Sequence, residues 1–294
     1  MAKRIRHKEL INQHPIMKWT GFAILLIYAF TLIFSLGWAL LSSLKEFSDF
    51  RENLFGLPKT WMFSNYATAF QALYVPADGR NYTLIYLIIN SVMYAGLYTV
   101  FPVLANIVVA YACAKYKSKL CEIVKTVVIL RMVIPIVGGL ASSLTVSKFI
   151  GTYDNPLLAA IFQFSPQGAH FLIFLATFQG ISNEYMEAAR IDGAGHAKIM
   201  FSIMLPLARN TIIAVGIMVF IGCWNDWETA MVWFPSYPTL AYGLYRFQFS
   251  TGNSISDITL QLTACIIAMI PMLIIFMFFK DKLVGNISMG GLKG

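Results

Sequence analysis

Residues 184–206 read Glu-Tyr-Met-Glu-Ala-Ala-Arg-Ile-Asp-Gly-Ala-Gly-His-Ala-Lys-Ile-Met-Phe-Ser-Ile-Met-Leu-Pro, a polar stretch set between two long apolar runs. Glu184 to Arg190 consists of good helix formers, and Ala188 and Ala189 are small enough to let another surface approach closely. Gly193 and Gly195 break that helix; Ala197 to Met204 starts a second one, which Pro206 ends or kinks. The pattern predicts a short helix, a tight turn and a return toward the next apolar run. Held by two membrane spans, such an element can act as a lever that a soluble partner pushes.

Outward from this loop the chain is apolar. Of its 294 residues 58% are hydrophobic and 12% charged, against about 25% charged in a soluble domain. Mean hydropathy is +0.66, so lipid rather than water is the expected solvent. Disordered, coiled-coil and nucleic-acid-binding classes are excluded. Crossing the hydrocarbon takes about 20 apolar helical residues. Six runs qualify, roughly Trp19 to Leu41, Leu84 to Ala112, Val124 to Val146, Pro156 to Phe178, Thr211 to Phe234 and Ile258 to Phe279. The first run is too long for a signal-peptide core, which makes it an uncleaved anchor. Pro102, Pro135, Pro166 and Pro271 fall inside spans, where proline kinks a helix. The outer connection 42–83 balances acids and bases and carries Gly56, Pro58, Pro76 and Gly79, the pattern of a small ordered cap. Cys113, Cys121, Cys223 and Cys265 form no CxxC pair and have no histidine at ligand spacing, so no disulfide framework and no metal site is expected.

The basic residues fix an orientation. With the N-terminus in the cytoplasm, the inner segments hold Lys3, Arg4, Arg6, Lys8 and Lys18, then Lys115, Lys117, Lys119 and Lys125, then Arg190, Lys198 and Arg209, then Lys280, Lys282 and Lys293. The outer segments hold only Lys45, Arg51, Lys59, Arg80, Lys148 and Arg246. The positive-inside rule then places both termini in the cytoplasm. The net charge of +8 reports this topology and not a nucleic-acid partner.

Glu187, Ala188 and Ala189, Gly193 after three residues, and Ile203, Leu205 and Pro206 after nine more stand at every fixed position of the EAA loop of ABC importer permeases. The chain resembles the carbohydrate-uptake branch of that family, above all the smaller membrane subunits of maltose-type importers. The likeness runs through Asn90-Ser91, Ala110-Tyr111-Ala112, Pro135, Phe178, Ala188 to Ala194, Trp224-Asn225, Thr239 to Leu244 and the tail Gly290-Gly291-Leu292-Lys293-Gly294. Ile181-Ser182 departs from the family's usual Ile-Pro and leaves the start of the loop less rigid.

The resemblance implies an all-α membrane protein: six transmembrane helices in the type I ABC importer permease fold, with a cytoplasmic EAA coupling loop at 182–209. It divides the chain into a cytoplasmic N-terminus 1–18, a permease domain 19–280 and a cytoplasmic tail 281–294. Glu187, Ala188, Ala189, Asp192, Gly193, Ile203, Leu205 and Pro206, with Lys293 and Gly294 of the tail, would couple to the ATPase. The implied partners are an ABC ATPase dimer, a second homologous permease, an extracytoplasmic solute-binding protein and a sugar, in a bacterial cell membrane. The implied mechanism is alternating access driven by ATP. The sequence contains no G-x-x-x-x-G-K-[ST] phosphate loop, so ATP and Mg belong to the separate ATPase and no cofactor is expected in this chain.

Polar residues inside spans are the candidates for a substrate path. Trp224-Asn225-Asp226-Trp227-Glu228 lies in the outer half of the fifth span, roughly 20 Å from its inner end. On a regular helix Trp224 and Glu228 are i,i+4 neighbours and Asn225 and Glu228 are i,i+3, giving an aromatic plate beside hydrogen-bonding groups, as a sugar needs. The same residues could instead satisfy a helix break or hold the partner permease. Asn90, Gln163 and His170 are weaker candidates, since a lone polar group on a transmembrane helix is more often interhelical glue than a ligand contact. Arg131, roughly 8 Å into the third span, can snorkel to the inner surface. The loop Pro235 to Asp257, with Tyr237, Tyr242, Tyr245, Phe247 and Phe249, suits an interfacial belt or a probe of the binding protein's cleft. A membrane enzyme using Asp226 and Glu228 is disfavoured, since i,i+2 side chains point to different faces. A channel or secondary transporter needs no EAA loop, and an amino-acid or peptide importer is the nearer alternative.

Overall fold

The computed structural model describes residues 15–77, 79–116, 118–134, 138–166, 168–249 and 258–287. Two compact units are distinguished. The first is the chain up to Ala72 with the part of the last helix that ends at Ile267. The second is Leu73–Phe249 with the chain from Ala268.

In the first unit, α1 (Pro15–Ser43) is apolar on all sides, and Trp19, Ile24, Leu25 and Ile33 stay exposed, as a helix solvated by lipid requires. Two short helices follow, α2 (Phe47–Glu52) and α3 (Ser64–Ala72). Asn65 ties them to the end of α1 by donating to the carbonyls of Ser43 (3.0 Å) and Lys45 (2.9 Å). Lys45 is 1% exposed, and its ammonium donates to the Asn53 carbonyl at 2.5 Å; a buried charge is tolerable only with such a partner. Thr263, on the last helix, donates to the Ser43 carbonyl at 3.0 Å.

The second unit opens with an antiparallel hairpin, β1 (Tyr74–Ala77) and β2 (Arg80–Thr83), in the register Tyr74↔Thr83 to Ala77↔Arg80, with Gly79 at φ 70° in the connection. This hairpin corrects the all-α expectation. It also divides the expected cap 42–83, because α2 and α3 belong to the first unit.

The central element is α4 (Leu84–Lys115), long enough to cross a membrane and half buried within the unit. Around it lie α5 (Lys119–Val133), α6 (Leu140–Ile150), α7 (Pro156–Phe162), α8 (Gly168–Gly180), α9 (Glu184–Ile191) and α10 (His196–Ile199). Through a π-helical turn at Met200–Met204, α10 runs on into α11 (Leu205–Trp224). The described chain ends with α12 (Glu228–Trp233), α13 (Leu240–Phe249) and α14 (Ile258–Ile287). Small residues such as Ala105 and Ala110 let α4 meet α8 and α11 closely, and Phe171, Phe174, Phe178, Ile199 and Met204 fill the core there.

Six unbroken spans are not what the structure holds. Four described helices are long and apolar enough to cross: Lys18–Ser43, Leu84–Lys115, His196–Trp224 and Ile258–Phe278. The runs Val124 to Val146 and Pro156 to Phe178 are each two pieces, α5 with α6 and α7 with α8. Pro166 stands in the second of these breaks, whereas Pro102 and Pro271 are absorbed inside α4 and α14. The fifth run stops at Trp224 and resumes as α12. Arg131 is exposed in the last turn of α5, about 18 Å along it from Lys119.

Asn90 and Ser91 of α4 clamp the segment that leads into α13. Asn90 Nδ2 donates to the Pro238 carbonyl at 3.0 Å and the Leu240 N–H donates to Ser91 Oγ at 2.7 Å. The clamp presses Gly243 so near α4 that a Cβ there would stand 2.6 Å from Leu87 Cδ1 and 3.4 Å from Leu73 Cδ2. Gly243→Val is expected to destabilise the fold by about 2 kcal/mol through overpacking, read as a lowered melting temperature of the detergent-purified chain.

Candidate functional site

The C-terminal turns of α4 seat the segment 181–206. Tyr111 packs edge-on to Phe178 at 5.6 Å and to Tyr116 at 6.0 Å, beneath the buried Met186 and Ala189 of α9. Lys115 Nζ donates to the Ile181 carbonyl (2.6 Å) and to Asn183 Oδ1 (2.9 Å). That contact anchors the point where the sequence lacks the family's usual proline. Tyr116 Oη and His196 Nδ1 share a 2.7 Å hydrogen bond, which pins the far side of the turn.

The turn itself is a Schellman motif. Gly193 N–H donates to the Arg190 carbonyl (3.0 Å) and Ala194 N–H to the Ala189 carbonyl (2.9 Å), the five-to-two and six-to-one bonds that close a helix. Gly193 has φ 76°, a left-handed conformation in which a Cβ is strained by about 1–2 kcal/mol. The outward side of α9 exposes Glu184, Glu187 and Asp192 beside a line of Tyr185, Ala188 and Ile191 at i, i+3, i+6. Ile191 is 87% exposed. Ala189 faces the chain's own core, so only Ala188 of the pair is open to another surface. Ile203 and Leu205 are half-buried against the same core, while Pro206 is exposed in the first turn of α11, where a missing N–H costs little.

A second polar region gathers where the helices break. Asn225 folds its amide back onto the Ile221 carbonyl at 2.9 Å. Asp226 Oδ1 accepts from the Thr229 N–H (3.0 Å) and Oδ2 from the Tyr94 hydroxyl (2.8 Å), which caps α12 and bonds it to α4. Because the helix ends at Trp224, that residue and Glu228 do not share a face. Trp224 is 5% exposed and stacks on Phe220, whereas Asn225 and Glu228 are exposed. The expected aromatic plate at Trp224 is therefore corrected. The open aromatic surface is Trp227, stacked on Tyr245 with ring centres 3.8 Å apart and planes within 4°.

Asp154, at φ 56°, is held by Ser236, whose N–H and Oγ both donate to its carboxylate (3.0 and 2.5 Å). Its own N–H donates to the Trp233 carbonyl at 2.8 Å. These bonds join the α6–α7 turn to the end of α12. Between α4, α6, α7 and α12 lies a cavity of about 510 Å³, lined by Tyr98, Ser143, Phe162, Gln163, Thr229 and Trp233 among others.

A family model described as the binding-protein-dependent transport system inner membrane component matches residues 103–288, more than half of the chain. The chain belongs to this family. As such a permease component it is a multi-pass membrane subunit, not an enzyme, and ATP hydrolysis belongs to a separate subunit. The diacetylchitobiose uptake system permease protein NgcG of Streptomyces coelicolor is 25% identical over 91% of this chain and 86% of its own length. The arabinooligosaccharides transport system permease protein AraQ of Halalkalibacterium halodurans is 28% identical over 95% of this chain and 98% of its own. A solved bacterial ABC transporter for import of the acidic polysaccharide alginate has a chain that superposes with TM-score 0.71 at 20% identity, over 92% of this permease and 97% of that chain, which supports a common fold.

The structure thus brings Glu187, Ala188, Asp192 and Gly193 onto one exposed element and places Gln163 on a cavity wall. It commits the amide nitrogens of Asn90 and Asn225 to backbone carbonyls. Lys293, Gly294, Pro135 and the basic residues before Pro15 lie outside the described residues. Sequence reading missed Tyr185, Ile191 and Lys115, although the i, i+3, i+6 spacing of Tyr185, Ala188 and Ile191 was visible; Lys115 carried no local signal. Asp226→Ala is expected to cost about 2 kcal/mol, because it strips the Tyr94 hydroxyl and the α12 cap of one shared acceptor. Asp226→Asn, which keeps one carbonyl oxygen, is expected to lose less, and thermal melting of both variants in nanodiscs checks the order.

Proposed function

We propose that this permease is one of two homologous membrane subunits of an ATP-driven ABC importer that moves a sugar or oligosaccharide into the cytoplasm by alternating access. Relatives named for diacetylchitobiose and arabinooligosaccharide uptake support the substrate class. A solved alginate transporter complexed with a pentasaccharide-bound periplasmic protein, 19% identical with TM-score 0.60, makes delivery by a binding protein a reasonable extension. The runs broken in the structure cross as paired half-helices, which gives six spans with both termini in the cytoplasm.

The observation that carries the reading is α9: a rigid helix anchored through Met186, Ala189 and Lys115, closed at Gly193, and exposing Tyr185, Glu187, Ala188 and Ile191. It is the coupling helix that an ATPase subunit grips, and α4 and α11 carry its motion into the membrane. Glu187→Lys and Gly193→Val are each expected to leave membrane insertion intact while lowering ATP-driven uptake by about tenfold or more. Normal uptake by either variant, with protein levels matched by immunoblot, would refute the coupling role.

Asn225 and Glu228, exposed at the helix break, border the substrate path. Asn225→Ala is expected to weaken substrate-stimulated transport while the complex still co-purifies; loss of the complex would assign Asn225 to assembly instead. Mild-detergent purification of the tagged chain, followed by mass spectrometry, tests the whole reading. An ATPase, a second permease and a binding protein should be recovered.

A further inference from the structure

We infer that the cavity between α4, α6, α7 and α12 is a subsite for one uncharged sugar unit of the transported saccharide, so that this permease passes neutral glycans and excludes acidic ones. The inference rests on the importer reading above and adds to it a place and a selectivity.

The volume, about 510 Å³, lies within the range of about 300–1,000 Å³ usual for small-molecule sites. Its lining combines the two chemistries a sugar ring presents. Trp233, Phe162 and Tyr98 offer aromatic surface for the C–H faces of a ring. Ser142 and Ser143 on α6 offer hydroxyls, whereas the Thr152 hydroxyl is spent on Ser147. Ser142 and Ser143 are both exposed and stand one after the other on α6.

The selectivity follows from what the lining lacks. Among the described residues, no Lys, Arg, His, Asp or Glu lines the cavity. The charges around it are committed elsewhere. Asp226 accepts from Tyr94 and the Thr229 N–H, Asp154 accepts from Ser236, and Lys148 lies over the Tyr153 ring at 4.9 Å. A uronate entering here would give up the hydration of its carboxylate and find no cation, a cost of several kcal/mol on the scale of about 10³-fold in occupancy. A neutral ring exchanges its water for hydroxyl partners at little net cost.

The test uses the complete importer, both permeases, ATPase and binding protein, reconstituted in liposomes. Radiolabelled N,N′-diacetylchitobiose, arabinotriose, raffinose and maltotriose serve as neutral probes and trigalacturonate as the acidic one. The wild type is expected to take up at least one neutral probe and no trigalacturonate. Ser143→Trp, which fills the cavity from an exposed position, should lower that uptake about tenfold. Ser142→Ala, which removes one hydroxyl without adding bulk, should lower it about fivefold. Both variants should still assemble with the ATPase and the second permease at wild-type yield, read by co-purification. Unchanged uptake in both variants, or uptake of trigalacturonate, overturns the subsite while leaving the importer reading standing. Failure of the tagged chain to recover an ATPase, a second permease and a binding protein removes the importer reading itself, and the subsite with it.

Discussion

Within hydrocarbon a freed backbone group has no water to turn to, so each interruption of a helix must supply its own partners. This constraint organises the second unit of the chain. Where α11 stops, the Asn225 amide returns to the Ile221 carbonyl and the Asp226 carboxylate takes the Thr229 N–H of α12 together with the Tyr94 hydroxyl. Where α6 turns into α7, Asp154 adopts a left-handed backbone and is held there by Ser236 and the Trp233 carbonyl. Asn155 then caps α7 by accepting from the Leu158 N–H at 3.0 Å. Polar residues at these breaks are thus spent first on structure. The exposed hydroxyls of Ser142 and Ser143 line the space between α4, α6, α7 and α12.

The same accounting explains how much of the fold was legible. Apolar runs located three of the four long helices to within a few residues, because length and hydropathy decide whether a helix can span, whereas the helix His196–Trp224 starts and stops well before the run expected at 211–234. The EAA pattern located the exposed helix α9 and its turn, and Gly193 lies where the left-handed turn needs it. Three breaks were not legible in the same way. Hydropathy is blind to them, since the residues around Gln163, Ile134 and Asn225 are flanked by apolar sequence on both sides. Proline was an uneven guide: Pro166 marks a break, while Pro102 is carried within α4.

The candidate site was half visible. Residue spacing identified the exposed face of α9 but assigned both alanines outward, because a two-residue pair cannot reveal which member meets the core. For the fifth span, i,i+4 reasoning assumed a regular helix, and the break at Asn225 rotated Trp224 away from Glu228. The hairpin β1–β2 had a readable signal in Asp78-Gly79, the dipeptide favoured in two-residue hairpin loops.

One feature of α4 bears on how force moves through the chain. The helix is unbroken from Leu84 to Lys115, and it carries Tyr94 at the Asp226 bond and Tyr116 at the His196 bond, about 33 Å apart along its axis. A beam of that length turns small angles into useful displacements: a tilt of about 5° at one end shifts the other by about 3 Å. The interruptions in its neighbours make those helices compliant, so a stiff member is surrounded by jointed ones. In the coupling role proposed above, work applied at the polar loop would reach the far end of the beam as translation, while the joints absorb the change in angle.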